Sequence, residues 1–221
     1  MLVYFIRHGE SASNAAPGAM ALPGNQGDRL TELGFEQARA VAERLGEAGA
    51  TRVLTSPLRR ARETAGVIAE RLGLPITEVE ELRELRESDG FGELSLEDQK
   101  LRRWSVWMAE HGDDPDHSYR GGESFKEITE RVRRLQERLV ADATDSTIAV
   151  SHGIFLRFFL MGVLFGEDFR AGQVRRLWQL ASINCGVCGF EHRAPDLESN
   201  YATEPWRCLS WMAPAPTPPR P

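Results

Sequence analysis

Two short apolar runs, Val3-Tyr4-Phe5-Ile6 and Ile148-Ala149-Val150, constrain the fold of this chain more than any other feature. Each stops abruptly at a histidine followed by glycine, Arg7-His8-Gly9-Glu10 after the first and Ser151-His152-Gly153 after the second. A near-continuous apolar run of strand length reads as a strand buried on both faces, as in a parallel sheet. Polar residues at its carboxyl end then lie on the loop edge, where open α/β sheets hold their ligands. Two such strands side by side would bring His8 and His152 to one site, with Gly9 clearing room for a ligand to approach.

The chain between them alternates in the same sense. Residues Ser11 to Arg29 are rich in Ala, Gly, Pro, Asn and Asp and read as an irregular loop beside the charged strand end. Within it Asn14 either folds back over the pocket or is an exposed turn residue. Leu30 to Gly49 reads as a helix capped by Thr31, with Ala38, Val41, Ala42 and Leu45 on one face. Arg52 to Ser56 is a second strand, and Pro57 suits the first turn of a helix whose stripe is Ala61, Ala65, Ile68 and Leu72 before Gly73. Pro75 to Val79 is a third strand candidate. Ser124 and Glu127 form a capping box ahead of Phe125, Ile128, Val132, Leu135 and Leu139. Thr147 to Ser151 is the fourth strand, Ile154 to Phe165 a buried helix, and Ile183 to Phe190 a closing strand.

This pattern predicts a three-layer α/β/α fold with a mostly parallel central sheet. Regularity lapses from Glu80 to Gly122, which reads as a small helical cap insertion, about 85–122, over the sheet edge. Trp104 and Trp107 within it either line a substrate entrance or pack the cap onto the body, the commoner use. The expected domain runs from 1 to 190. Residues 191–221 form a C-terminal extension whose Pro-rich end, Ala213 to Pro221, reads as disordered. Trp206 and Trp211 there either mark a contact or close the core.

Composition narrows the function. With 41% hydrophobic and 27% charged residues and a formal net charge of -6, the chain suits a soluble domain. Nothing in that balance favours nucleic acid or an anionic membrane as partner. The amino terminus lacks the basic and apolar regions of a secretory signal, and the Ile154–Phe165 run is too short to span a bilayer. Three cysteines, Cys185, Cys188 and Cys208, fit a reducing compartment, and the expected location is cytoplasmic. Cys185 and Cys188 are read as structural thiols. Five histidines with no HExxH pattern argue against a metal hydrolase, and no GxGxxG or Walker pattern is present.

The residues that collect at the strand ends are Arg7, His8, an arginine from Arg59, Arg60 and Arg62, a carboxylate from the cluster at 80–87, and His152. Arginine forks match phosphate oxygens, so two or three in one pocket make a phosphate clamp. Among cations an imidazole is held neutral, with a nucleophilic nitrogen near neutral pH. A carboxyl beside a bound phosphate dianion favours its protonated form and can hand that proton to a leaving alcohol. A second histidine can stabilise charge on the transferring phosphoryl group. The plainer alternatives are hydrogen-bonding structural histidines, a solvated arginine face and a surface acidic cluster.

Arg7-His8-Gly9-Glu10 with Asn14 behind it closely resembles the signature of the histidine phosphatase superfamily, the phosphoglycerate-mutase-like branch. Thr55-Ser56-Pro57-Leu58-Arg59-Arg60-Ala61 with Thr64-Ala65 resembles its second motif, Gly122-Glu123-Ser124 with Arg131 its third, and Val150-Ser151-His152-Gly153 its fourth. The match runs in order from residue 3 to about 190.

The resemblance implies His8 as the nucleophile that becomes phosphohistidine, with Arg7, Arg60 and His152 holding the phosphoryl group. It selects Arg60, the arginine directly before the alanine. Asn14 and Gly153 would lie against the phosphate or the substrate. For the proton donor the chain offers Leu82-Arg83-Glu84 and Leu85-Arg86-Glu87 in tandem. Glu84 is favoured, because Glu81 to Leu85 reads most like the family's strand exit, and Glu87 is the alternative. No metal and no cofactor is implied. The expected activity is hydrolysis of a small phosphorylated substrate. The basic, proline-rich segment of cofactor-dependent mutases is missing, which makes mutase the second reading. A catalytically silent phosphate-binding module is the third. Substrate identity and oligomeric state stay open.

Overall fold

The computed structural model describes residues 1–15, 28–86, 114, 116, 118, 121–193 and 205–213. Six strands form one sheet: β1 (Leu2–Arg7), β2 (Val53–Thr55), β3 (Ile76–Glu78), β4 (Ser146–Ser151), β5 (Val187–His192) and β6 (Trp206–Ala213). Their order is β3-β2-β4-β1-β5-β6. β1, β2, β3 and β4 are mutually parallel where they pair, whereas β5 and β6 run antiparallel at one edge. Besides the single turn α1 (Ala12–Ala15), the long helices are α2 (Glu32–Arg44), α3 (Arg59–Leu72), α4 (Phe125–Ala141) and α5 (Gly153–Phe165).

Side-chain alternation along β1 builds the three layers. Tyr4 and Ile6 point to one face, where they meet Ala38, Val41 and Ala42 of α2 and Ala61, Ala65 and Ile68 of α3. Val3 and Phe5 point to the other, against Ile128, Val132 and Leu135 of α4 and Phe155, Phe158 and Phe159 of α5. On that second face Phe5, Phe159 and Phe190 lie with ring centroids 4.5 to 5.7 Å apart. Full burial of each ring contributes on the order of 2–3 kcal/mol. α5 is apolar almost all round, as befits a helix buried on most sides.

Local chemistry sets the helix limits. The Thr31 hydroxyl accepts the Gly34 N–H, and Ser124 and Glu127 form the expected reciprocal capping box. Gly73 ends α3 in the left-handed region, φ 66°. Pro57 does not occupy the first turn of α3. Ser56 Oγ accepts the Leu58 N–H at 3.2 Å, Leu58 stays extended as the cap, and the helix begins at Arg59.

The carboxyl-terminal part differs from expectation. The boundary proposed at 190 falls inside β5, and the strand expected from Ile183 starts only at Val187, because 183–186 form a turn with Cys185 at φ 53°. Residues 206–213, assigned to the extension, pair with β5 as the sixth strand of the same sheet. Trp206 closes the core there, its ring edge-on to Phe159 at 5.6 Å. The cap expectations, Trp104 and Trp107 among them, and the tail from 214 onward lie outside the described residues.

A close helix approach locks the end of β1. A methyl group at Gly34 would sit 2.1 Å from the Glu10 carbonyl oxygen, and one at Gly9 would sit 2.5 Å from the Gly34 carbonyl oxygen. Gly9 therefore lets α2 press against the turn after His8. Gly34→Ala should cost about 1–3 kcal/mol, since the backbone must give way. Gly66→Ala, in an α3 position with nothing within 4 Å, should instead stabilise by about 0.5–1 kcal/mol. Urea unfolding of both variants checks the contrast.

Candidate active site

Parallel register brings the two histidines together. Arg7 of β1 pairs with Ser151 of β4, and the His8 N–H extends the ladder to Ser151 O at 3.0 Å. The next residues, His8 and His152, then stand with ring centroids 5.2 Å apart. β2 joins from the other side, where the Ser56 N–H donates to Val150 O at 3.0 Å. Because α2 and α5 leave β1 and β4 toward opposite faces, this is a topological switch point of the sheet.

A hydrogen bond assigns the tautomer of His8. His8 Nδ1 lies 2.7 Å from the Gly9 carbonyl oxygen, an acceptor only, so Nδ1 carries the proton. His8 Nε2 accepts from Arg60 Nε at 3.0 Å, which leaves its lone pair directed at a cation. Ser56 Oγ accepts from Leu58 N and lies 2.8 Å from His152 Nε2, so its hydroxyl is free to donate to that nitrogen. That donation would leave the His152 proton on Nδ1, which is buried and has no hydrogen-bond partner among the described residues. Arg7 Nε is in the same state. Two unsatisfied buried polar groups beside one nucleophilic nitrogen fit a polar ligand site.

Burial, then Arg60 and then Arg7 push the pKa of His8 well below its usual value, against the opposing bond to Gly9. His152 is lowered well below the usual value by burial first, and then by Arg60 and His8. Burial also lowers Arg7 and Arg157, while the Glu84 carboxylate pulls both back up.

Of the arginines opening α3, only Arg60 turns inward. It is 4% exposed, whereas Arg59 pairs with Glu63 and Arg62 with Glu78 at the surface. Glu84 lies beside the first turn of α5, its oxygens accepting N–H bonds from Ile154 at 3.1 Å and Phe155 at 2.9 Å. Gly153 opens α5, and a methyl group there would lie 2.6 Å from Ser182 Oγ and 3.5 Å from Arg7 Nε. Glycine at 153 thus makes room for the Ser182 and Arg7 side chains. Asn14 is exposed, and its Oδ1 accepts from the Ser11 N–H at 2.8 Å. Glu87 lies outside the described residues. Glu10 is structural, accepting from the Thr31 hydroxyl.

Several site residues were not anticipated. Asp28, buried in the irregular loop, lies 3.7 Å from Arg60 and accepts from Ser11 Oγ and Ser13 N. Thr64 Oγ1 accepts the Gly9 N–H and donates to Arg60 O, tying the two motifs together. Asn184 donates to His8 O, and Ser182 O accepts from Arg7. Arg157 fastens the same segment through Leu177 O and Leu180 O. A lone arginine in an apolar helix was the visible signal for Arg157; Asp28 carried none. Among the described residues no three of His, Cys, Asp or Glu gather closely enough to hold a metal ion, and no helix is long and apolar enough to cross a membrane.

Comparison with known proteins agrees with this architecture. The family model for the histidine phosphatase superfamily (branch 1) matches residues 3–201. A probable phosphoglycerate mutase GpmB of Erwinia tasmaniensis is 32% identical over 208 residues, 91% of this chain and 90% of that one. The solved structure of a mycobacterial hydrolase, "hydrolase 2", superposes with a TM-score of 0.73 at 27% identity, covering 98% of this chain and 92% of that one. A mycobacterial glucosyl-3-phosphoglycerate phosphatase in complex with VO3 superposes at 0.72 and 25% identity, covering 96% and 99%.

The buried neutral histidines have a pH signature. Below about pH 6.5 the unfolded chain binds protons that folded His8 and His152 refuse, so stability should fall as pH drops from there, by about 1.4 kcal/mol per pH unit for each histidine. NMR titration of the ligand-free protein should find His8 still neutral well below its usual pKa. In Arg60→Gln the midpoint should move up while burial still holds it below 6.5.

Proposed function

The chain belongs to the histidine phosphatase superfamily, and from that membership we propose that it hydrolyses small phosphomonoesters through a phosphohistidine formed on His8. One observation carries the reading: His8 has its Nδ1 proton tied to Gly9 O while the Nε2 lone pair faces Arg60 at 3.0 Å. A neutral imidazole so fixed has one nitrogen available to phosphorus, next to a guanidinium that can move onto the phosphoryl oxygens.

In the proposed reaction an entering phosphate dianion draws the Arg60 N–H away from Nε2. Arg7, Arg60 and the His152 Nδ1–H hold its oxygens, with Gly153 and Asn14 beside the phosphate or the rest of the substrate. The Nε2–P bond forms as the P–O bond to the leaving alcohol breaks, and Glu84 gives that oxygen its proton. Glu84, now a carboxylate, takes a proton from water as the water oxygen attacks phosphorus and the P–N bond breaks. Phosphate leaves, and His8 and Glu84 return to their starting forms. No metal and no cofactor takes part. Three free thiols suit a reducing, cytoplasmic setting.

Similarity to a probable phosphoglycerate mutase GpmB supports a second reading, a phosphoglycerate mutase. It requires isomerisation of 3-phosphoglycerate with a bisphosphate primer, whereas a hydrolase releases inorganic phosphate and leaves the isomer ratio unchanged. A silent binding module would bind phosphate and turn nothing over.

A screen of phosphorylated sugars, nucleotides, metabolites and peptides against the wild type should find phosphate release from at least one small phosphomonoester. His8→Ala should lose at least about 10³-fold in kcat on it, and Arg60→Ala about 10²–10³-fold. Near-normal hydrolysis by His8→Ala would refute the mechanism.

A further inference from the structure

The backbone that carries Glu84 is gripped on both sides by one buried ion pair. Glu123 and Arg131 meet through a bidentate fork, with Arg131 Nε to Glu123 Oε1 and Arg131 NH2 to Oε2 both at 2.7 Å. Their side chains are only 8% and 10% exposed. The remaining arginine nitrogen, NH1, donates to Glu81 O at 2.8 Å and to Arg83 O at 2.7 Å, the carbonyl directly before Glu84. Beyond Glu84, Glu123 Oε2 accepts from the Arg86 N–H at 3.2 Å, and the Glu123 N–H donates to Arg86 O at 2.8 Å. The Arg131 guanidinium also lies 4.8 Å over the ring of Phe155, whose N–H holds the Glu84 carboxylate.

Stability alone does not account for such a pair. Replacing a buried ion pair with apolar side chains is often neutral or stabilising, because desolvating two charges offsets their attraction. What an apolar pair cannot do is hold three backbone groups of a segment whose regular structure is the single 3₁₀ turn Glu80–Leu82. The fixed fork of an arginine fits that task, whereas the point charge of a lysine does not.

We propose that Glu123 and Arg131 are positioning residues for proton transfer by Glu84, an inference that rests on the reading of Glu84 as the acid. A general acid must hold its proton within hydrogen-bond reach of the leaving oxygen, and a misplacement of about 1 Å can cost about 10²-fold in rate. The pair sets that position without touching substrate.

Leaving groups provide the test. p-Nitrophenolate departs readily without protonation, whereas an alkoxide leaving from glycerol phosphate depends on it. Wild type, Glu123→Gln, Arg131→Lys and Glu84→Gln are assayed on both substrates. The two positioning variants should lose at least about tenfold more in kcat/KM, which reports the leaving-group step, on glycerol phosphate than on p-nitrophenyl phosphate, as Glu84→Gln does. A double variant, Glu123→Gln with Arg131→Gln, removes both buried charges together, avoids leaving one unpaired, and should show the same split. Equal losses on the two substrates, or none, in the folded variants overturn the inference. Absence of the split in Glu84→Gln itself retires Glu84 as the acid, an outcome separate from failure of the positioning role.

Discussion

Everything at this site depends on the in-register parallel pairing of β1 with β4. Arg7 stands opposite Ser151, so the residue after each is a histidine, and the two imidazoles meet where the sheet ends. A slip of one residue would exchange the two faces of a strand and carry Val3 and Phe5 away from α4 and α5. The register is therefore held by the whole core, by Tyr4 and Ile6 on one face and by Phe5 on the other. The aromatic packing that stabilises the fold is the same packing that aligns the chemistry.

Onto that alignment the loops and helix starts add charge. Arg7 comes from the strand and is half-buried, Arg60 comes from the first turn of α3 and is buried, and both lie next to histidines whose pKa values are pushed well below the usual one. Asp28 and Thr64 restrain Arg60 from behind, while Ser182 restrains Arg7. The site is thus pre-assembled as a concentration of donors around one lone pair. A dianion would relieve the repulsion among these groups and satisfy Arg7 Nε and His152 Nδ1, two buried nitrogens at the site that lack partners among the described residues.

Much of the fold was legible because periodicity reports burial. The stripe Ala61, Ala65, Ile68 and the alternation in Val3 to Ile6 follow directly from which faces are covered. β6 was not legible: register shifts at Val187–Gly189–Phe190 interrupt its pairing, most of its residues are only partly buried, and a proline-rich stretch follows. At the site, the choice of Arg60 over Arg59 and Arg62 came from motif order, and its 3.0 Å bond to His8 is consistent with that choice. Asp28 was invisible because an aspartate in a Gly- and Pro-rich loop has no period to mark it. The demand that α2 makes for a missing side chain at Gly9 was not legible, since it comes from an element distant in sequence. Gly153 shows the converse, a glycine that gives Arg7 and Ser182 their place.

In the proposed mechanism covalent chemistry falls to a single atom, His8 Nε2, since Nδ1 is committed to Gly9 O. Rapid quenching of the enzyme with a labelled phosphomonoester, followed by peptide mapping and phosphorus NMR of the acid-labile product, tests this most directly. The label should sit on His8 as the Nε2 isomer and disappear at the rate of turnover. A label on His152, an Nδ1 isomer, or turnover with no phosphoenzyme at any time would contradict it.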